Sequence, residues 1–128
     1  MARKTRLARA KALADKHCSA YFQGKPCAVC GTTIGTVGHH IVTRSVGFLR
    51  HYELNILPLC QEHHTGCDKA PHSMSKNARE RFQTFLETDC QERMDYLAEH
   101  RHDRTIPTAE DYEAKAAFWK EMGEADGN

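Results

Sequence analysis

The sequence predicts a mainly helical α+β domain in which a small, metal-stapled β-hairpin lies between flanking helices. Three observations support this fold class. Apolar residues recur at helical spacing toward both ends of the chain, and a Gly-punctuated, β-branched segment separates them. That segment also contains two short-spaced pairs of zinc-ligand residue types, Cys27 with Cys30 and Cys60 with His63.

The first element is an amphipathic helix predicted over residues 5 to 22, and Gly24 and Pro26 end it. Residues 1–25 carry seven basic residues against one acid, whereas residues 105–128 carry six acids against two bases. Clustered bases are typical either of a phosphate-binding surface or of a solvated helix face. We predict the phosphate-binding role for Arg3, Lys4, Arg6, Arg9 and Lys11.

The middle segment, residues 26–72, favours a small hairpin with loops. Its β-branched stretches are Thr32–Ile34, Thr36–Val37, Ile41–Thr43 and Ile56–Leu57. Pro58 argues against a central strand at that position, because proline cannot donate a hydrogen bond to a neighbouring strand.

Residues 73–123 form the helical C-terminal part of a single domain that spans residues 1–128. An apolar stripe from Ala78 to Leu97 predicts a long helix, with Asn77 and Glu80 as its capping pair. A final helix is predicted to begin with the capping sequence Thr108–Asp111, after Pro107, and to end near Gly123.

Chain length and cysteine usage favour metal binding over disulfides. A domain of 128 residues with few large apolar side chains has limited capacity for a core and benefits from a staple. The basic N-terminal segment lacks the apolar region of a signal peptide, and no apolar stretch is long enough to span a bilayer. We therefore expect a cytoplasmic, reducing location, where Cys-x-x-Cys more often binds metal than forms a disulfide.

The four residues that we expect to bind a structural Zn²⁺ are Cys27, Cys30, Cys60 and His63. A closed Cys₃His set is typical of structural zinc, whose binding contributes about 10–16 kcal/mol coupled to folding. Cys67 is an alternative to His63 as the fourth ligand. Cys18 and Cys90 lie on apolar helix stripes and are interpreted as core residues.

A second set of histidines lies beside the zinc ligands. His39 and His40 are adjacent on a predicted strand and therefore point to opposite faces, so that one can bind a metal while the other faces a substrate. His64 could bind the same ion, and a set with few protein ligands leaves positions open for water and phosphate. Asn55 could tie the intervening loop through side-chain hydrogen bonds.

The remaining histidines and one arginine are interpreted more simply. Arg50 and His51 lie in the loop between the two halves of this segment, where a phosphate contact is expected, and we assign it to Arg50. His72 lacks a matching metal-ligand spacing and is interpreted as a surface residue. His100 and His102 lie in a charged run and are expected to be solvated.

Two stretches within residues 26–72 carry a family resemblance. Gly38-His39-His40-Ile41 and the stretch from Asn55 to His64 resemble the HNH endonucleases, with the Cys27/Cys30 knuckle of their zinc-bearing branch. The likeness is greatest to short phage-borne members, including those linked to recombination. It implies a ββα-metal motif within a treble-clef zinc scaffold.

The resemblance also implies roles for individual residues. His40 would be the general base, Asn55 the central asparagine of the motif, and His39 and His64 the ligands of a catalytic Mg²⁺, Mn²⁺ or other divalent ion. His63 departs from the family pattern, since it stands where the second zinc cysteine normally does.

The predicted function is therefore metal-dependent hydrolysis of phosphodiester bonds in DNA, with RNA not excluded. Two alternatives are a non-catalytic, zinc-stapled nucleic-acid-binding module and a zinc domain for protein interaction. The second histidine set discriminates between them, because a purely structural zinc domain has no need of His39, His40 and His64.

Overall fold

A computed structural model describes residues 4–66 and 69–126, and within these ranges it is mainly helical with one small antiparallel sheet. The predicted α+β fold class is confirmed at this level. The elements are α1 (Arg6–Phe22), β1 (Val37–His40), β2 (Ile56–Leu59), α2 (Gln61–His64), α3 (Lys76–Asp89), α4 (Gln91–His100) and α5 (Ala109–Ala125). Two short 3₁₀ turns, Gly47–Leu49 and Glu53–Asn55, lie between the strands.

The two strands pair in a register that decides where the histidines point. His39 lies opposite Leu57 and His40 lies opposite Ile56. Pro58 is accommodated in β2 because each strand of a two-stranded sheet is an edge.

Each face of β2 packs against a different helix. Leu57 and Leu59 lie in one buried cluster with Phe82 and Leu86 of α3. Ile56 lies in another cluster with Cys18 and Phe22 of α1 and Trp119 of α5. Since side chains alternate across a strand, the register directs His39 toward α3 and His40 toward α1.

Helices α1 and α5 form the main helix pair, and both begin as the sequence predicts. The Thr5 hydroxyl caps α1 by accepting a hydrogen bond from the Ala8 amide, and Thr108 and Asp111 form a reciprocal capping box on α5. Helix α5 continues through Gly123 to Ala125, slightly beyond its predicted end.

Two predictions about the C-terminal part are wrong. The stripe from Ala78 to Leu97 is two helices, because the backbone leaves the helical region at Cys90. The cap of α3 is Ser75, whose hydroxyl accepts a hydrogen bond from the Ala78 amide, and not Asn77 with Glu80. The Ser75 hydroxyl caps the first turn at Ala78, so α3 begins two residues earlier than a cap at Asn77 would place it.

The two cysteines interpreted as core residues do pack in apolar surroundings. Cys18 is buried among aromatic rings, and Cys90 packs against the cluster that contains Phe82 and Leu86. No helix in the described ranges is both long enough and apolar enough to cross a membrane.

Candidate metal centres

The four predicted zinc ligands converge from two short segments. Cys27 and Cys30 lie on a turn that Gly31 closes by donating its amide hydrogen to the Cys27 carbonyl oxygen at 2.8 Å. Gly31 has φ of 79°, a backbone conformation that favours glycine. The Ala28 amide donates to the Pro58 carbonyl oxygen at 2.8 Å, which holds this turn against the end of β2.

The second half of the site begins where β2 ends. Cys60 precedes the first residue of α2, and His63 lies within that single helical turn. The short helix therefore brings a thiol and an imidazole to the same point. Cys67, the alternative fourth ligand, lies outside the described residues.

The distances within this group fit a tetrahedral ion. The ligand atoms of Cys27, Cys30, Cys60 and His63 all lie within 4.8 Å of one another. Cys60 Sγ lies 3.3 Å from His63 Nδ1 and 3.8 Å from Cys30 Sγ, and Cys27 Sγ lies 3.9 Å from His63 Nδ1. Tetrahedral zinc, with Zn–S of about 2.3 Å and Zn–N of about 2.0 Å, places its ligand atoms about 3.5–3.8 Å apart. The group could hold a zinc-like metal ion.

The electrostatics of the two buried thiols also suit a cation. Burial opposes ionisation of Cys27, but hydrogen bonds from the backbone of Cys60, Cys30 and Val29 bring the pKa of its thiol down to about 6. Burial raises the pKa of the Cys60 thiol, and the neighbouring charge of Cys27 contributes to that rise. One thiolate therefore forms easily, and the second needs a cation to offset the charge of the first.

A second group consists of three histidines, one of which, His64, follows His63 directly in α2. The ligand nitrogens of His39, His64 and His72 lie within 4.8 Å of one another. Ring centroids are 5.3 Å apart for His39 and His64, 4.9 Å for His39 and His72, and 4.8 Å for His64 and His72. His39 is buried, His64 is half-buried and His72 is exposed, so the group opens to solvent on one side.

His72 is the member that sequence reasoning missed, since it was interpreted as a surface residue. The His72 amide donates to the His64 carbonyl oxygen at 3.0 Å, which holds the two residues side by side. The spacing of eight residues between these histidines has no recognised metal-ligand signature. Only the fold of the segment after His64 brings the third imidazole into place.

His39 and His64 favour their neutral form, which metal binding requires. Burial lowers the pKa of His39 to about 3, and the neighbouring His72 and His64 contribute to that shift. Burial likewise lowers the pKa of His64, with a contribution from His72. The buried edge of the group is closed by the Phe82 ring, whose centroid lies 5.6 Å from that of His39.

His40 does not belong to this group and faces α1 instead. Its Nε2 lies 2.7 Å from the carbonyl oxygen of Arg50. Because a carbonyl oxygen only accepts, Nε2 carries the hydrogen, and the neutral ring has its lone pair on Nδ1. Burial lowers the pKa of His40, opposed by the bond to Arg50 and assisted by the charge of Arg44. His40 lines a cavity of about 260 Å³ together with Arg44 and Ser19.

Asn55 ties the intervening loop as the sequence suggested. Its side chain is fully buried, its Oδ1 accepts from the Val42 amide at 2.7 Å, and its Nδ2 donates to the carbonyl oxygens of Val42 and Leu49, each at 2.9 Å. Three hydrogen bonds from one buried amide hold the ends of the loop together. Asn55 therefore supports the segment that carries Arg50.

Arg50 is engaged inside the protein. Its guanidinium donates two hydrogen bonds to the Asp15 carboxylate, at 2.8 and 2.7 Å, and His51 Nε2 lies 2.6 Å from the same carboxylate. Burial opposes ionisation of Asp15, but these hydrogen bonds from Arg50 and His51 lower its pKa to about 2. The phosphate contact predicted for Arg50 stays a prediction, and it would require exchange with Asp15.

The basic N-terminal segment lies along the acidic α5. Arg6 forms an ion pair with Glu113 at 2.5 Å, and Arg9 donates to the Lys4 carbonyl oxygen at 2.6 Å. Arg3 lies outside the described residues. Part of the basic charge of this helix is thus offset within the protein, which reduces what remains for phosphate.

Comparisons with known proteins add no assignment. No family model matches the chain, and no significant match is found among curated proteins or solved structures.

Proposed function

We propose that this chain is a metal-dependent endonuclease of the HNH type that hydrolyses phosphodiester bonds in DNA, with RNA as a further possible substrate. One observation carries the proposal: adjacent residues of α2 belong to two separate groups, His63 to a closed Cys₃His group and His64 to a solvent-open group of three histidines. A purely structural zinc domain requires only the first group. Under this proposal the core is a ββα-metal motif built on a treble-clef zinc scaffold.

Each group has its own role in the proposal. Cys27, Cys30, Cys60 and His63 hold the structural zinc. His39, His64 and His72 bind a divalent ion, and three imidazoles favour Ni²⁺ or Zn²⁺ over Mg²⁺ or Mn²⁺. Three protein ligands leave coordination positions for substrate oxygen and water. An ion bound there would supply a Lewis acid that stabilises charge developing on the phosphoryl oxygens.

His40 is the proposed general base. With its hydrogen on Nε2 and its lone pair on Nδ1, it can take a proton from an attacking water molecule. The water oxygen forms a bond to phosphorus while the bond from phosphorus to the leaving sugar oxygen breaks, and the leaving oxygen takes a proton from solvent. The hydrogen bond to Arg50 keeps the imidazole in the tautomer that this step needs.

The adjacency of His39 and His40 supports a shared reaction centre. Successive strand residues point to opposite faces, yet β1 ends at His40, so the pair lies at the end of the sheet. An ion on one side and a base on the other could then act on one phosphodiester that lies across this strand end.

The test is a cleavage screen of the purified, zinc-containing protein. Supercoiled, nicked, linear duplex, branched and single-stranded DNA, and RNA of matched sequence, are each incubated with Mg²⁺, Mn²⁺, Co²⁺, Ni²⁺ or added Zn²⁺. We expect cleavage of at least one DNA form that depends on the added ion. Absence of cleavage of every form with every ion, by protein that binds nucleic acid, would instead support the non-catalytic binding module.

A further inference from the structure

We propose that a basic cleft beside the His40 cavity binds the phosphodiester backbone of the nucleic acid; this inference rests on the proposed function and names the path of its substrate. The cleft has a volume of about 760 Å³ and lies between the turn at residues 43–47 and the segment 101–107. The basic side chains that line it are Lys11, Arg44, Arg50, Arg101, His102 and Arg104.

Three of these guanidinium groups have no partner in the part of the chain that the structure describes. The side chains of Arg44, Arg101 and Arg104 form no ion pair or hydrogen bond there, whereas Arg50 is held by Asp15. The planar guanidinium group is well suited to bidentate contact with phosphate oxygens.

The acid in the cleft does not neutralise this charge. Asp103 is the sole acidic residue among the described residues that line the cleft, and its carboxylate accepts a hydrogen bond from the Thr105 amide at 2.8 Å. Three unpaired arginines against one carboxylate leave a net positive charge around the cleft, and the resulting potential attracts a polyanion. A nucleic-acid strand presents phosphates at regular spacing and so matches a row of separate basic groups better than a single small anion does.

The cleft adjoins the proposed catalytic base. Arg44 lines both the cleft and the smaller cavity that contains His40. Arg50, whose carbonyl oxygen accepts the hydrogen bond from His40, also lines the cleft. A backbone held along Arg101 and Arg104 would therefore lead past Arg44 toward the base.

About half of this surface lies outside residues 26–72, the segment that resembles a nuclease. Segment 101–107 links α4 to α5, and Lys11 comes from α1. The inference thus assigns substrate binding to Lys11 of α1 and to the linker between α4 and α5. The sequence had also predicted phosphate contacts for Lys4, Arg6 and Arg9, which are not part of the cleft lining. Within the basic helix, Lys11 is the residue that faces the cleft.

The experiment measures DNA binding separately from cleavage. All proteins carry His40→Ala to prevent hydrolysis, and binding of a fluorescein-labelled duplex is followed by anisotropy at several salt concentrations. The test variant is Arg101→Ala/Arg104→Ala, and the matched control is Lys76→Ala/Lys120→Ala, which removes the same charge from exposed positions outside the cleft. Arg101→Lys/Arg104→Lys keeps the charge, and zinc content and thermal unfolding verify the fold of every protein.

Removing two arginines that each neutralise one phosphate of a duplex should reduce the slope of log affinity against log salt by about 1.8, since each neutralised phosphate contributes about 0.9. We expect that reduction in the Arg→Ala variant, with the control and the Arg→Lys variant close to the parental slope. An unchanged slope in the Arg→Ala variant, or an equal reduction in the control, would overturn the inference.

The outcome is independent of hydrolysis. If the parental protein binds DNA through Arg101 and Arg104 yet cleaves no substrate, the cleft is supported and the proposed activity is not. If it cleaves DNA and the Arg→Ala variant binds with an unchanged slope, the activity is supported and the cleft is not.

Discussion

The Nε2 atom of His40 donates a hydrogen bond to the backbone carbonyl oxygen of Arg50, 2.7 Å away. The same arginine donates two hydrogen bonds through its guanidinium to Asp15 of α1. A helix outside the metal-binding segment thus holds the loop that orients the imidazole. Which ring nitrogen of His40 carries the hydrogen therefore depends on how α1 packs against that loop.

Replacing His40 with alanine should reduce DNA cleavage by about 10²–10⁴-fold, because a positioned base typically contributes that much to rate. Cleavage at saturating DNA and zinc content are measured together, with His17→Ala as the matched histidine control on α1. Zinc content should stay at the parental level, since His40 is not among the Cys₃His ligands. Cleavage at the parental rate would contradict the assignment and make His39 or His51 the next candidate base.

Replacing Cys27 with serine should remove the structural metal and greatly destabilise the segment around it. The thiol is buried among Leu57, Leu59 and Phe82, so an empty site would leave polar groups in an apolar cluster. Metal content by mass spectrometry and unfolding by circular dichroism measure the two effects. Cys90→Ser, outside the metal groups, should retain the metal. A folded parental protein that contains no tightly bound zinc would be incompatible with this role.

Replacing His72 with alanine should weaken binding of a second divalent ion without displacing the first. His72 is exposed and contributes one of three imidazoles, so its removal leaves only His39 and His64 as protein ligands. Loss of a residue that only orients a metal ligand typically lowers metal affinity by about 10–100-fold. Loss of a ligand itself should therefore lower the affinity at least about tenfold. Calorimetric titration of zinc-loaded protein with Mn²⁺ or Co²⁺ gives the affinity, and His17→Ala serves as control. Equal affinities in parental and His72→Ala protein would remove His72 from the site.

Replacing Asp15 with asparagine should destabilise the protein by about 1 kcal/mol at neutral pH, after allowance for solvent screening of a carboxylate that is one-third exposed. The pKa of Asp15 is lowered to about 2 by hydrogen bonds from Arg50 and His51 that outweigh its burial. Asp15 also acts on His51: burial lowers the pKa of that imidazole, and the hydrogen bond and charge of the carboxylate oppose the shift. Cys18 and Tyr112 feel the same charge, and burial raises the pKa of both groups.

The pH dependence follows from the direction of this shift. A carboxylate with a lowered pKa stabilises the folded state above its ordinary pKa of 3.8, and the contribution is lost as pH falls through about 2. Without Asp15 the pKa of His51 is lower still, so the stability difference between parental and Asp15→Asn protein should widen as pH falls through the range in which His51 takes up a proton. It should then decrease below pH 4, where Asp15 itself becomes protonated. Urea unfolding of both proteins at each pH measures the difference, so that protonation of the metal ligands affects both alike. A difference that does not decrease below pH 4 would contradict the assignment.

Much of the local structure could be predicted from the sequence, because its causes lie within a few residues. The capping box of Thr108 and Asp111, the turn at Gly31 and the Cys60–His63 pair each depend on neighbours one to three positions apart. The alternation of His39 and His40 follows from strand geometry alone. The fold class and the Cys₃His group were accessible for this reason.

Contacts between distant segments were decided only by the tertiary structure. Spacing alone could not indicate that His72 joins His39, that Asp15 takes up the guanidinium of Arg50, or that segment 101–107 faces Arg44 across a cleft. Each depends on how helices pack on the two faces of a two-stranded sheet, which balances many weak contacts over the whole chain. The sequence by itself determined which residues are able to bind metal, and the packing of the helices determined which of them meet.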